Sequence, residues 1–205
     1  MNFELKPEAK PYHGQALPVP RFHKETIQKE VKRLVKLGVL KHIQESRWAF
    51  PSFIIPKKSK VPGKPGTVRV LTDLCELNKR IIRKPYPLPK ISTGLQELEG
   101  FMYATALDLN IGYTTTVLDF NMDHYTIRLS LTTSEICTIV FPWWKYSYQQ
   151  LTMGVSNTPD VFQAKIGTLF QDLEYFCAYL DDLLILSSVV FEDHLDKLEQ
   201  VLQCL

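Results

Sequence analysis

Two short apolar runs with a pair of aspartates between them constrain the fold of this chain more than any other feature. The runs are Tyr175 to Leu180 and Leu183 to Leu186, and Asp181 and Asp182 separate them. Short apolar runs bounded by turn-forming residues are typical of buried β-strands, so we expect a hairpin with both aspartates in a two-residue turn. Such a turn would hold two carboxylates at the rim of a buried sheet, although aspartate is also a common turn former with a purely structural role.

Three stretches have the period of amphipathic helices. The first ends at Gly38, the second begins with Thr158 as N-cap and Pro159 in its first turn, and the third lies in the last part of the sequence. The residues expected on the buried faces are Ile27, Val31, Leu34 and Val35 in the first helix, Phe162, Ile166, Leu169 and Phe170 in the second, and Leu195, Leu198, Val201, Leu202 and Leu205 in the third. A short helix is also expected over residues 91–98.

Several other runs favour short strands. They are Phe50 to Ile55, Val68 to Leu71, Met102 to Leu109, Ile136 to Phe141 and Tyr146 to Leu151. Helices and strands follow one another in no simple βαβ rhythm, and this favours the α+β class. Residues 1–20 contain four prolines and no hydrophobic period, so we expect an extended arm there.

The charges of the chain are divided unequally between its two halves. Residues 1–100 contain 20 Lys and Arg against 9 Asp and Glu, whereas residues 101–205 contain 4 against 13. A basic half suits a polyanion such as nucleic acid, and an acidic half with few cations suits a divalent metal site. Two oppositely charged surfaces that dock on each other would give the same division. The loop 57–66 between the first two expected strands contains four of the lysines.

Neither a membrane span nor a secretion signal is visible in the sequence. No run approaches the roughly 18 apolar residues that a membrane-spanning helix needs, and residues 1–10 lack the apolar core of a signal peptide. We therefore expect an intracellular protein of the cytoplasm or nucleus, neither secreted nor held in a membrane. The four cysteines lie far apart, so we expect reduced and mostly buried thiols rather than a disulfide framework.

A third aspartate, Asp108, lies near the end of the expected strand 102–109. Carboxylates that converge at strand ends repel one another unless a cation lies among them, and Mg²⁺ prefers such hard oxygen ligands. The segment around Asp108 is duplicated, because residues 107–117 are followed directly by a similar stretch at 118–128. Asp119 in the second copy corresponds to Asp108, so two aspartates compete for the same role.

Five short motifs lie before Tyr179-Leu180-Asp181-Asp182 in the sequence. They are Val68 to Lys79, Tyr86 to Ile91, Ala106 to Leu109, Phe141 to Trp143 and Met153 to Gln163. In their order and approximate spacing these motifs resemble the reverse transcriptase family, and in particular the Ty3/Gypsy type of long-terminal-repeat retrotransposon polyprotein. The resemblance covers nearly the whole chain.

The resemblance implies a right-hand polymerase fold with fingers and palm, in which the palm is an antiparallel sheet backed by helices. Residues 1–88 would form an N-terminal arm and the fingers, and residues 89–128 the first part of the palm with the tandem duplication. Residues 129–154 would return to the fingers, and residues 155–205 would form the second part of the palm. We expect the thumb to be absent.

The same resemblance implies RNA-directed DNA polymerase activity, with two-metal nucleotidyl transfer to a primer 3′-end. Asp108 and Asp181 would be the two principal metal ligands, and Asp182 the peripheral carboxylate. The cofactor would be two Mg²⁺ ions, with Mn²⁺ as the alternative. The partners would be an RNA or DNA template with its primer, deoxynucleoside triphosphates and other regions of a retroelement polyprotein.

The residues that the resemblance assigns to the nucleotide lie on several motifs. Tyr113 would pack against the sugar and reject a 2′-hydroxyl. Arg69 and Lys58 would lie over the triphosphate, where cations neutralise the charge that develops during transfer. Met153 and Gly154 would pass under the nucleotide, because glycine allows a close backbone approach.

Three hypotheses remain open at this point. An active polymerase fragment is the first, and a catalytically inactive relic that at most binds nucleic acid is the second, because the duplication lies beside a metal ligand. A metal-free interaction domain with its aspartates as turn formers is the third. Of the two competing aspartates we prefer Asp108 to Asp119, because only the first copy retains Gly112 and Tyr113.

Overall fold

The computed structural model describes residues 1–56, 68–87, 100–108, 127–180 and 182–204. This part of the chain forms five helices and eight strands, which confirms the α+β class. The helices are α1 (Arg21–Lys36), α2 (Cys75–Arg80), α3 (Leu131–Ile136), α4 (Thr158–Leu169) and α5 (Phe191–Cys204). The strands are β1 (Leu40–Ile43), β2 (Phe50–Pro56), β3 (Val68–Thr72), β4 (Tyr103–Asp108), β5 (Thr138–Val140), β6 (Lys145–Tyr148), β7 (Phe176–Tyr179) and β8 (Asp182–Ser187).

The chain divides into two compact units, of which the first comprises residues 1–82 and 127–155. Its five-stranded sheet has the order β1-β6-β5-β2-β3, with antiparallel neighbours except for the parallel pair β2 and β5. Helix α1 contacts β1 and β3, and its buried residues are Ile27, Val31 and Leu34. The helix ends before Gly38 as predicted, and Gly38 has a φ of +71° that glycine adopts without strain. Val35, which we expected on the buried face, is 36% exposed at its margin.

Two expected strands of the first unit are shorter than predicted. Residues 131–136 form helix α3, and β5 begins only at Thr138. The helix forms because Ser130 is its N-cap, with the Ser130 Oγ accepting a hydrogen bond from the Thr133 N–H at 3.3 Å. Only Ile136 of this helix belongs to the predicted strand, and residues 131–135 were not assigned from the sequence. Strand β6 ends at Tyr148, three residues before the predicted end.

The second unit comprises residues 83–126 and 156–205. Its described strands form a three-stranded antiparallel sheet in the order β4-β8-β7. Helix α4 contacts β7, and helix α5 contacts β4 and β8. The expected antiparallel sheet backed by helices is therefore confirmed.

Helix α4 differs from its predicted form at its cap and at one apolar position. Thr158 is the first helical residue and Asn157 is the N-cap, so the predicted cap is wrong by one residue. Three of the four predicted apolar positions are buried: Phe162, Ile166 and Phe170. Leu169 is 41% exposed, because Asp160 and Gln163 are buried as well and shift the buried face away from it.

Helix α5 is also rotated from the face that its leucines predicted. Leu195 and Leu202 are about half exposed, at 46% and 53%, whereas His194 and Val201 are buried. The histidine and the valine lie seven residues apart, and so on the same face of the helix. The rotation brings a polar ring into the interface between the helix and the sheet.

Several other expectations concern the arm, the cysteines and the membrane. Residues 1–20 form no helix or regular strand, only isolated bridges to Ala49 and Ile81, as expected of an extended arm. None of the four cysteines forms a disulfide, but only Cys137 is buried, so the expectation of mostly buried thiols is wrong. Cys75 and Cys204 are exposed because they lie at the ends of helices α2 and α5. No helix in the described ranges is long and apolar enough to cross a membrane.

Candidate functional site

The central strand of the second unit brings two of the predicted site residues into register. In the antiparallel pair β4 and β8, the backbone of Asp108 lies directly opposite that of Asp182. Asp182 also lies opposite Tyr179 of β7, and it is exposed. The expectation that Asp182 belongs to a two-residue turn is therefore wrong, because it is the first residue of strand β8. The register instead leaves positions 180 and 181 between the paired residues Tyr179 and Asp182.

The residue before the two aspartates has an uncommon backbone conformation. Leu180 has a φ of +52°, a region that branched side chains seldom adopt. Such a conformation costs free energy and persists where surrounding contacts hold it. A side chain of helix α4 makes such a contact, because it accepts a hydrogen bond from the Leu180 N–H.

Gln163 of α4 holds the backbone on both sides of Tyr179. Its side-chain nitrogen donates to the carbonyl oxygen of Ala178 at 3.0 Å, and its side-chain oxygen accepts the N–H of Leu180 at 2.8 Å. Gln163 is only 5% exposed, so water competes little for these bonds. Helical periodicity missed this residue, because that pattern assigns polar side chains to the solvent face. The sequence feature that could have indicated its role is its position in the motif 153–163, next to the buried Phe162.

A second buried polar residue of helix α4 anchors the segment 83–87. The Asp160 carboxylate is 2% exposed and accepts hydrogen bonds from the Tyr86 N–H at 3.0 Å and from the Arg83 Nε at 3.0 Å. Burial by itself would raise the pKa of this carboxyl. The hydrogen bonds from Tyr86 and Arg83 and the charge of Arg83 outweigh burial, so the pKa is lowered. Asp160 therefore stays ionised and holds the segment 83–87 to helix α4.

Two of the sequence motifs meet in the first unit around Gly154. Its carbonyl oxygen accepts a hydrogen bond from the Asn78 side-chain nitrogen at 2.7 Å, and its φ of +90° is one that glycine tolerates. A Cβ at this position would lie 3.6 Å from Leu74 and 3.7 Å from the Thr72 carbonyl oxygen, which is ordinary contact. The backbone conformation, rather than lack of space, is therefore the reason for glycine. Met153 beside it is 38% exposed.

The remaining predicted site residues are only partly described. The backbone of Arg69 lies in β3 opposite Ile55, and the backbone of Asp108 is at the end of β4. Lys58, Tyr113, Asp119 and Asp181 lie outside the described residues, together with the hairpin tip 57–66, the expected helix 91–98 and all of the duplication between Asp108 and residue 127. Among the side chains that are described, no three His, Cys, Asp or Glu residues cluster as a metal site.

A three-stranded antiparallel sheet, with helices against it and with Asp108 and Asp182 opposite each other at one end, agrees with the α+β polymerase palm that the sequence motifs imply. A family model described as "Reverse transcriptase (RNA-dependent DNA polymerase)" matches residues 55–205. The chain belongs to this reverse transcriptase family.

Similar proteins support the same assignment. The chain is 27% identical over 198 residues to the Pol polyprotein of transposon gypsy from Drosophila melanogaster, covering 95% of this chain and 18% of that protein. Transposon Tf2 polyproteins of Schizosaccharomyces pombe are also related, which confirms the resemblance to retrotransposon polyproteins of the Ty3/Gypsy type. The chain spans about a quarter or less of the length of its curated relatives.

Solved structures share the fold. The protease-reverse transcriptase of prototype foamy virus matches with a TM-score of 0.76 and 25% identity, over 96% of this chain and 24% of that one. A foamy viral protease-reverse transcriptase in complex with an RNA/DNA hybrid matches with a TM-score of 0.75 and 21% identity, over the same shares of the two chains.

Proposed function

We propose that this chain is the fingers and palm of a retroelement reverse transcriptase, and that it adds deoxynucleotides to the 3′-end of a primer on an RNA or DNA template. The observation that supports this most directly is the register of β4 and β8, in which Asp108 and Asp182 are directly opposite. The family match and the polyprotein relatives favour this function over an inactive relic.

The opposed aspartates fit a divalent cation. Like charges directly opposite each other on antiparallel strands destabilise a sheet. A cation bound between them removes this repulsion, and carboxylate oxygens are the ligands that Mg²⁺ prefers. We propose Asp108 and Asp181 as principal ligands and Asp182 as the peripheral carboxylate, with Mg²⁺ or Mn²⁺ as the ion. Two divalent ions, when bound, stabilise the attacking and leaving oxygens of an in-line phosphoryl transfer.

The other proposed residues would position the metal ligands or contact the nucleotide. Gln163 keeps the backbone that leads to Asp181 in its strained conformation through the Leu180 N–H. Arg69 and Lys58 would neutralise the triphosphate. Tyr113 would pack against the sugar of the nucleotide and reject a 2′-hydroxyl. Met153 and Gly154 would contact the nucleotide.

The template and primer would lie along the basic half of the chain. Lys and Arg predominate within residues 1–100, and phosphate contacts supply most of the affinity of a protein for nucleic acid irrespective of sequence. A foamy viral relative of the same fold has been solved with an RNA/DNA hybrid. Because this chain matches only part of each polyprotein, we propose that other regions of such a polyprotein also bind the template–primer duplex.

Primer extension tests the proposal. The full chain is incubated with a self-primed hairpin, one nucleoside triphosphate and Mg²⁺ or Mn²⁺, and we expect addition only of the nucleotide that pairs with the template. Asp181→Asn should abolish addition and Asp182→Asn should reduce it less. Asp172→Asn, which changes an exposed carboxylate outside the site, should leave it intact. No extension by the folded chain with either ion, or equal extension by Asp181→Asn, would contradict the proposal.

A further inference from the structure

His194 of helix α5 is a buried histidine with hydrogen bonds on both sides of its ring. Its Nε2 lies 2.7 Å from the Thr105 Oγ1 of β4, and its Nδ1 lies 2.8 Å from the Ser187 Oγ of β8. The residue is 3% exposed. A hydroxyl can donate or accept, so either tautomer of the ring can form both bonds. One side chain therefore joins the helix to two neighbouring strands at once.

The register between these two strands is not determined by a local turn. Strands β7 and β8 form a tight hairpin, but β4 and β8 are separated by much of the second half of the chain. Their apolar pattern tolerates displacement by two residues, because such a slip leaves each side chain on the same face of the sheet. The small residues Ala104 and Ala106 on the exposed face present no obstacle to it.

The hydrogen bonds of His194 do distinguish between these registers. A slip of two residues moves the Thr105 hydroxyl about 7 Å along the strand, beyond hydrogen-bond distance. His194 would remain beside Ser187, because only residues 188–190 connect β8 to helix α5. One ring nitrogen would then be buried without a partner, which disfavours the slipped register by roughly 5- to 150-fold.

We propose that His194, Thr105 and Ser187 form a register lock, a positioning group that holds β4 against β8 so that Asp108 stays opposite Asp182. Its catalytic relevance rests on the proposed function, because the opposed aspartates are the proposed metal site. The lock acts at a distance from that site. It bonds the far half of the two strands, whereas the aspartates lie at their other end.

Disulfide trapping measures the register directly. In the native register Ala106 lies opposite Leu184, so the pair Ala106→Cys with Leu184→Cys should cross-link. The pairs Ala104→Cys with Leu184→Cys and Ala106→Cys with Leu186→Cys come directly opposite only after a slip of two residues. All of these variants also carry Cys177→Ala, because Cys177 lies opposite Leu184 on β7 and would compete.

The lock is tested by removing its hydroxyls one at a time. Thr105→Val and Ser187→Ala should each raise the ratio of slipped to native cross-links at least ~5-fold. Thr105→Ser keeps the hydroxyl and should restore the native ratio. His194→Leu should act like Thr105→Val, and the hydroxyl variants decide the question if the histidine variant fails to fold. Unchanged ratios in Thr105→Val and Ser187→Ala, even with a lowered Tm, would overturn the proposal.

Mn²⁺ binding, followed by paramagnetic resonance on the same variants, separates this inference from the proposed function. We expect Mn²⁺ affinity to fall in proportion to the slipped fraction. If the unmodified chain binds no Mn²⁺, the metal site is wrong, while the cross-linking ratios still decide whether the lock fixes the register.

Discussion

The buried carboxylate of Asp160 allows a quantitative test of how helix α4 holds the segment 83–87. Asp160→Ala removes the acceptor of the Tyr86 N–H and leaves that group unpaired, which costs about 1–3 kcal/mol. The ion pair with Arg83 adds less, about 0–1 kcal/mol, because the Arg83 side chain is 58% exposed and water solvates it. We therefore expect Asp160→Ala to destabilise the protein by about 1–4 kcal/mol, with about 2–4 °C lost in Tm for each kcal/mol.

The same reasoning predicts an asymmetry between the two partners. Arg83→Met removes only the exposed ion pair and leaves the Tyr86 hydrogen bond in place, so it should cost about 1 kcal/mol or less. Urea unfolding of both variants measures the difference, with Asp172→Ala as the control for loss of an exposed carboxylate. If Arg83→Met destabilised the chain as much as Asp160→Ala, the backbone hydrogen bond would not be the main interaction.

The pH dependence of this effect has a definite sign. The pKa of Asp160 is lowered in the folded protein from its ordinary value of 3.8, so its ionised form stabilises the fold. This stabilisation is fully present above pH 3.8 and is lost as the pH falls through the lower folded pKa. The difference in Tm between the wild type and Asp160→Ala should therefore be constant near neutral pH and shrink in acid.

Three other sets of substitutions test separate parts of the chain. Gln163→Leu removes both bonds to the backbone around Tyr179, so it should reduce primer extension by about 100-fold and also lower the free energy of unfolding by about 1–3 kcal/mol, because the Leu180 N–H loses its acceptor. Gln163→Glu keeps that acceptor and should be less impaired in both measurements. Gly154→Ala should cost about 1–2 kcal/mol in urea unfolding, because its φ of +90° strains any other residue; a neutral effect would refute this. Replacing the loop lysines by Ala should weaken binding to all nucleic acid sequences alike and lower the log–log salt slope by about 0.7–0.9 for each phosphate that is no longer neutralised, and an unchanged slope would exclude the loop from the interface. The lysines are Lys57, Lys58, Lys60 and Lys64.

Seven of the eight described strands and the family could be predicted from the sequence because their signals are local, whereas β1 was not predicted. The apolar runs on either side of Asp181 and Asp182 correspond to strands β7 and β8. The motifs determined the family because several independent short patterns occur in one order. Local composition did not predict helix α3, whose N-cap is Ser130, and it wrongly began the next strand at Ile136, the last residue of that helix.

Non-local pairing and buried polar groups were not predictable in the same way. Nothing within β4 or β8 alone specifies that Asp108 lies opposite Asp182, because that register depends on contacts distant in sequence. Asp160, Gln163 and His194 were not assigned to buried faces, since hydrophobic periodicity counts polar side chains as exposed. Their partners are backbone groups and hydroxyls that only the folded chain brings within reach.

The proposed metal site is tested most directly by comparing its two competing aspartates. Mn²⁺ affinity of the full chain is measured by paramagnetic resonance for the wild type, Asp108→Asn, Asp119→Asn and Asp182→Asn. Because Asp108 lies opposite Asp182 in the sheet, Asp108→Asn and Asp182→Asn should both weaken binding, and Asp119→Asn should leave it unchanged. Loss of binding in Asp119→Asn with full binding in Asp108→Asn would contradict this assignment.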